Sequence, residues 1–119
     1  MATQYLNNGT FVANSALTAY RLVAISSNRG VGLCTTGGSV DGVTQVDAAS
    51  GDYVTVAFLH TQGTHKGTLV NGPITTGDTL YVGASGQVSS SGSVVIGKAL
   101  TTAATDGSII EFIPKLNNL

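Results

Sequence analysis

This 119-residue sequence predicts an all-β fold: a small β-barrel or tulip-like sandwich built from two similar meander halves, with an extended N-terminal arm. Three observations predict it. The apolar runs are short, rich in β-branched residues and bounded by Gly, Ser, Thr and Asp, as in strands joined by tight turns. No run sustains the 3.6-residue period of an amphipathic helix. The chain also repeats itself, phrase by phrase, across its two halves.

Residues 1–16 read as the arm. They carry no charge, hold a turn at Asn7-Asn8-Gly9, and offer Tyr5, Leu6, Phe11 and Val12 as apolar side chains to dock on a partner. A single β domain is expected over 17–114, with the pseudo-repeat spanning 17–59 and 74–114 and a tail at 115–119. Leu22–Ile25 and Val31–Thr35 read as strands around a five-residue loop ending in Gly30. Val43–Val46 alternates as a half-buried strand does. Tyr53–Leu59 follows with Tyr53, Thr55, Ala57 and Leu59 on one face and Val54, Val56 and Phe58 on the other. Both faces are apolar, which suits a central or interface strand. Tyr53, Thr55 and Phe58 are therefore the candidates for contact between copies. His60–Gly72 reads as a connector with a short strand at Thr68–Val70. Four strands close the chain: Leu80–Val82, Gln87–Ser89, Val94–Leu100 and Ile109–Ile113. Pro114 cannot donate to a ladder and marks the end of the last one.

The repeat pairs Thr18–Ala24 with Thr76–Val82, an offset of 58, and Asp47–Val56 with Thr102–Glu111, an offset of 55. The middle loop is then three residues shorter in the second copy. Two units are too few for a solenoid, which needs at least about three. Two matched halves instead pack face to face or close into a barrel.

Composition excludes several classes. Charged residues make up only 9 % of the chain and the net charge is −1, against a usual charged share near ~25 %. No basic patch is available to neutralise phosphates, so no nucleic-acid partner is expected. Polarity comes from 16 Thr and 11 Ser instead. A surface this poor in charge suits a protein covered by partners, hence an oligomer or an assembly. No signal peptide and no apolar stretch long enough to span a membrane is found.

No catalytic set assembles. Asp41, Asp52, Asp78 and Asp106 sit in Gly-rich turns, where Asp bonds nearby backbone. Asp47 lies at the edge of such a turn, and Glu111 alternates out of the last strand. His60 and His65, five apart in a Gly/Thr loop without nearby Cys or carboxylate, fall short of a metal set. Cys34 is alone and reads as a small buried hydrophobe. Neither a Gly-x-Ser-x-Gly elbow nor a phosphate-cradling loop that opens a helix is present. No enzyme activity, cofactor or metal is expected.

Three phrases stand in order along the chain: Asp47–Val54, Thr76–Val82 and Ile96–Leu100. Together with the strands they introduce, over about residues 17–114, they resemble the capsid decoration (cement) proteins of tailed bacteriophages. The resemblance implies a non-enzymatic structural virion protein, made in the host cytoplasm. It implies a homotrimer on the capsid exterior that binds the major capsid protein after shell expansion and stabilises capsomer junctions. Tyr5, Leu6, Phe11 and Val12 are then capsid-contact candidates by analogy. Two alternatives remain. One is the capsid-anchoring module of a head fibre or another virion surface protein. The more remote one is a carbohydrate-binding module, which needs exposed aromatics in a groove and an export route.

Overall fold

Runs of Val, Ile, Leu and Thr punctuated by Gly, Asn and Asp become ten strands in the computed structural model, which describes residues 8–59 and 64–114. The strands are β1 Asn8–Ala13, β2 Leu22–Ser27, β3 Gly30–Leu33, β4 Gly42–Thr44, β5 Tyr53–Phe58, β6 His65–Val70, β7 Thr79–Val82, β8 Val88–Ser89, β9 Val95–Ala99 and β10 Ile109–Pro114. A 3₁₀ turn, Ala84–Gly86, joins β7 to β8.

The first five strands close one barrel in the order β1-β3-β2-β4-β5, and the last five close a second as β6-β8-β7-β9-β10. These are the same path. In each half the first strand runs parallel to the third, and all other pairs are antiparallel. The halves are thus alike, and each closes on itself. The path departs from a plain meander at one place, where the third strand lies between the first and the second.

Hydrogen bonds fix which residues correspond. Tyr20 N–H donates to the Thr44 carbonyl as Gly77 N–H does to Ala99, both at 2.8 Å. The bridge Leu17–Ala48 has its twin in Ile74–Ala103. Gly51 N–H donates to Ala13 as Gly107 N–H does to Leu69. The offset is therefore 57 around Tyr20, one less than the 58 of the phrase pairing, whereas the 55 of the second pairing holds at Ala48–Ala103 and passes to 56 from Gly51 onward. Such a slip matters, because moving a strand by one residue exchanges its two faces. Thr/Gly/Ala turns look alike at neighbouring registers, so the turns alone could not resolve it. Tyr20 sits in the left-handed region at φ 63°, where the second half uses Gly77 at φ 95°.

Each barrel fills its interior with the inward side chains of its own strands, but the two halves fill it differently. Phe11, Ala13, Leu17, Val23, Val31, Val54 and Val56 form the first core. In the second, Gly67 stands where Phe11 stands in the first, and Phe112 stands where Val56 does. A Cβ on Gly67 would lie 2.5 Å from Val88 Cγ2 and 3.3 Å from the Phe112 ring. The aromatic ring has moved from the first strand of the unit to the fifth, and the neighbouring position has lost its side chain to make room.

The second core also takes in Leu22, Cys34, Val43 and Leu59 from the outside of the first barrel. This apolar seam fuses the two barrels. Thr68 N–H to the Tyr20 carbonyl at 3.1 Å and Gly86 N–H to the Cys34 carbonyl at 2.9 Å cross it, as does the Arg21 guanidinium to the Ser85 carbonyl at 2.9 Å. Gly86 is required there, since a Cβ would lie 2.6 Å from the Leu22 carbonyl oxygen. The two-sided apolar character of Tyr53–Leu59 is thus partly spent within the chain, at Leu59.

The arm and the connector need correction. Asn8–Ala13 is a barrel strand, pairing with β5 over five residues and with β3 over two. Phe11 is 8 % exposed; its ring packs edge-on against Phe58 at 5.9 Å, and the Arg29 guanidinium covers it at 5.1 Å. Phe11 is a core residue, so it is withdrawn as a capsid contact. The physical reason is closure: without β1, the open edges of β3 and β5 have no partner. The connector likewise contains β6, the first strand of the second barrel. Tyr5, Leu6, His60 and the tail at 115–119 lie outside the described residues.

Candidate functional site

The side chains able to do chemistry hold the turns together instead. Asp41 accepts from Ile25 N–H at 2.8 Å, Asp47 from Ala19 N–H at 2.7 Å, Asp78 from Thr75 N–H at 2.8 Å and Asp106 from Gly72 N–H at 3.0 Å. Thr102 takes Asp47's role in the second half, accepting from Thr76 N–H at 3.1 Å. Burial, helped by the nearby Asp41 charge, pushes the Cys34 thiol up to about 12, so it stays protonated at neutral pH. His65 points into the second barrel beside Phe112, with ring centroids 6.0 Å apart. Burial lowers its pKa, and its Nε2 has no hydrogen-bond partner among the described residues. No group of three or more His, Cys, Asp or Glu is placed to hold a metal among the described residues.

What the fold does present is surface. Ile110 and Phe112 of β10 point inward, so Ile109, Glu111 and Ile113 share the outer face. The register sets Ile113 opposite Lys98 of β9 and Glu111 opposite Lys66 of β6. Leu100 joins the same face, its N–H donating to the Glu111 carbonyl at 2.9 Å. Ile109 is 50 % exposed, and Ile113 and Leu100 also lie open. Three exposed aliphatic side chains thus share one sheet face, interleaved with Glu111, Lys66 and Lys98.

At the Ile113 end of this face lies an open, mainly apolar cavity of about 480 Å³ lined by Thr79, Val95, Gly97, Lys98, Ile113 and Pro114. Gly97 shapes it. β9 approaches β10 so closely here that a Cβ on Gly97 would fall 1.9 Å from the Ile113 carbonyl oxygen. No side chain stands at that point of the lining, which leaves room between the flanking residues.

The corresponding face of the first barrel carries the cross-strand pairs Val12–Tyr53 and Thr10–Thr55. Tyr53 is 77 % exposed, and Thr55 and Val12 are half-buried. The structure therefore brings Tyr53, Thr55 and Val12 together on one outer face. Phe58 is on the opposite side of β5, half-buried against the first core. The sequence reading passed over Ile109, Ile113, Leu100 and Lys98. A signal was present in Ile109–Ile113, which is apolar at both parities except for Glu111, the same two-sided pattern that drew attention to Tyr53–Leu59.

Comparison with known proteins adds two findings. A family model described as phage cement protein matches residues 4–113, nearly the whole chain and both barrels. Among solved structures, the chain is similar to the head fiber gp8.5 N base of bacteriophage phi29, with a TM-score of 0.76 and 23 % identity, over 91 % of this chain and 92 % of that one. That likeness carries the fold. No curated protein matches the chain.

Proposed function

Since the chain belongs to the phage cement protein family, we propose that it is a structural protein of the virion that binds the outside of the expanded capsid and stabilises capsomer junctions. The observation that carries this reading is the family match across residues 4–113. Its partners are the major capsid protein and further copies of itself, as a homotrimer. It turns over no substrate. The aspartates, each bound to the backbone of a different turn, and the protonated, buried Cys34 support that, because no base is paired with a nucleophile among them. With Phe11 committed to the core, shell contact falls to Tyr5 and Leu6, ahead of β1, and to Val12 on the outer face. A clamp of this kind acts through apolar burial and backbone pairing, so its binding is insensitive to salt.

A second reading, the anchoring base of a head fibre, is favoured by the likeness to the phi29 fibre base over nine-tenths of both chains. The two differ in what is attached and agree on the shell as partner. Co-sedimentation of the purified chain with expanded, undecorated heads tests the shared claim. Saturable binding that persists in 0.5 M salt is expected. A chain that stays in the supernatant at every concentration overturns both readings.

A further inference from the structure

We propose that copies of this chain join head to tail, with Tyr53 of one copy entering the apolar cavity between β9 and β10 of the next. The contact deepens the homotrimer reading above and rests on that part of it. Tyr53 is the most exposed large apolar side chain among the described residues, at 77 %. Its cross-strand neighbour is Val12 and the next outward residue on β5 is Thr55, both smaller and half-buried, so the ring stands above its surroundings. An exposed tyrosine suits an interface: a large apolar body with a polar tip and few rotamers to lose.

The hole fits the knob in size and charge. Its volume of about 480 Å³ takes a phenol ring with space left for water. Lys98 on its lining is exposed, as is Asp52 beside Tyr53, and neither has a side-chain partner among the described residues. Docking the ring brings an ammonium toward an aromatic face and an unpaired carboxylate toward an unpaired cation. Both interactions select this pairing over others. The ring alone buries about 150–250 Å², well short of the ~800 Å² per partner of a stable contact. The rest comes from Ile113 and the other lining residues of the cavity, lying against Thr10 and Thr55 beside Tyr53.

Knob and hole lie on different barrels, so the contact is heterologous: the two surfaces that meet are not the same. Repetition of such a contact generates a ring when the rotation closes, which is how it supplies a trimer. A two-fold dimer through Tyr53 against Tyr53 leaves the cavity unused and is the competing arrangement.

The test is disulfide trapping with the full chain. Thr10→Cys, which lies on the Tyr53 face and keeps the ring, and Thr79→Cys are made separately, mixed in equal amounts and oxidised with diamide. Both positions are exposed, and the native Cys34 is buried. Circular dichroism of each variant confirms folding, and Lys98→Cys serves as a second cavity position. Cross-linked pairs are expected in the mixture and not in either variant alone. Tyr53→Asp is expected to weaken self-association at least tenfold without changing the circular dichroism spectrum of the folded chain. Cross-linking of Thr10→Cys with itself alone overturns the head-to-tail contact in favour of the two-fold one. An oligomer by light scattering that traps no mixed pair, or that tolerates Tyr53→Asp, overturns this contact and leaves the oligomer standing. A monomer at millimolar concentration overturns both.

Discussion

Deleting residues 2–12 should unfold the first barrel, whereas deleting residues 2–7 should leave it intact. The longer deletion removes nearly all of β1, which pairs with β5 from Asn8–Ala57 to Val12–Tyr53. It also removes the Val12 N–H bond to the Arg29 carbonyl at 2.7 Å and the Arg29 guanidinium bond to the Thr10 carbonyl at 2.7 Å. The largest single loss is Phe11. Truncating a buried Phe costs about 3–5 kcal/mol, and each lost ladder bond adds about 1 kcal/mol. Native domains hold only about 5–15 kcal/mol, so a loss of this size consumes most or all of it. The edges of β3 and β5 are also left open to aggregation. Far-UV circular dichroism with thermal melting reads the outcome. The 2–12 deletion should show lost strand signal or a melting temperature lower by tens of degrees, and the 2–7 deletion a change of a few degrees at most. A 2–12 deletion that melts with the full chain would show that β1 is not part of the barrel, and the closure argument fails.

Two further perturbations separate core from surface. Phe112→Ala should cost about 3–5 kcal/mol in urea unfolding, because neighbouring Gly67 has no side chain to collapse into the space; Ile109→Ala, at an exposed position, should stay within about 0.5 kcal/mol, and equal effects would contradict the inward assignment of Phe112. His65 sets a pH dependence. Burial lowers its pKa in the folded state from 6.5, so below pH 6.5 the unfolded chain takes up a proton that the folded chain refuses. Its contribution to stability is therefore full above pH 6.5 and is lost as the pH falls from there toward the lowered folded value. Urea midpoints should fall more between pH 7.5 and pH 5 for the native chain than for His65→Phe. Identical falls would show that His65 is protonated inside the barrel.

Much of the fold was legible because strands advertise themselves locally. Ile109–Ile113 and Tyr53–Leu59 are β-branched, bounded by turns and set within a residue of where the ladder places them. The turn aspartates were legible for a similar reason, since Asp beside Gly bonds backbone wherever the turn goes. β1 was missed because Asn7-Asn8-Gly9 reads as a turn, and only the pairing with β5, more than forty residues away, makes Asn8–Ala13 a strand. The one-residue slip in the repeat has the same origin: register is set by ladder partners and inward packing, which a list of similar phrases does not contain. The candidate surface was half legible. Tyr53 was picked out for lying on a two-sided strand. The cavity was not, because it depends on Gly97 letting β9 approach β10.

The central claim is that this chain decorates a capsid, and cryo-electron microscopy of expanded heads lacking it, before and after adding the purified protein, tests that most directly. The account predicts new density on the outer surface at the junctions between capsomers, at fixed stoichiometry, into which the two-barrel fold fits. Heads that remain bare at saturating protein, or density found only on the inner surface, would contradict it.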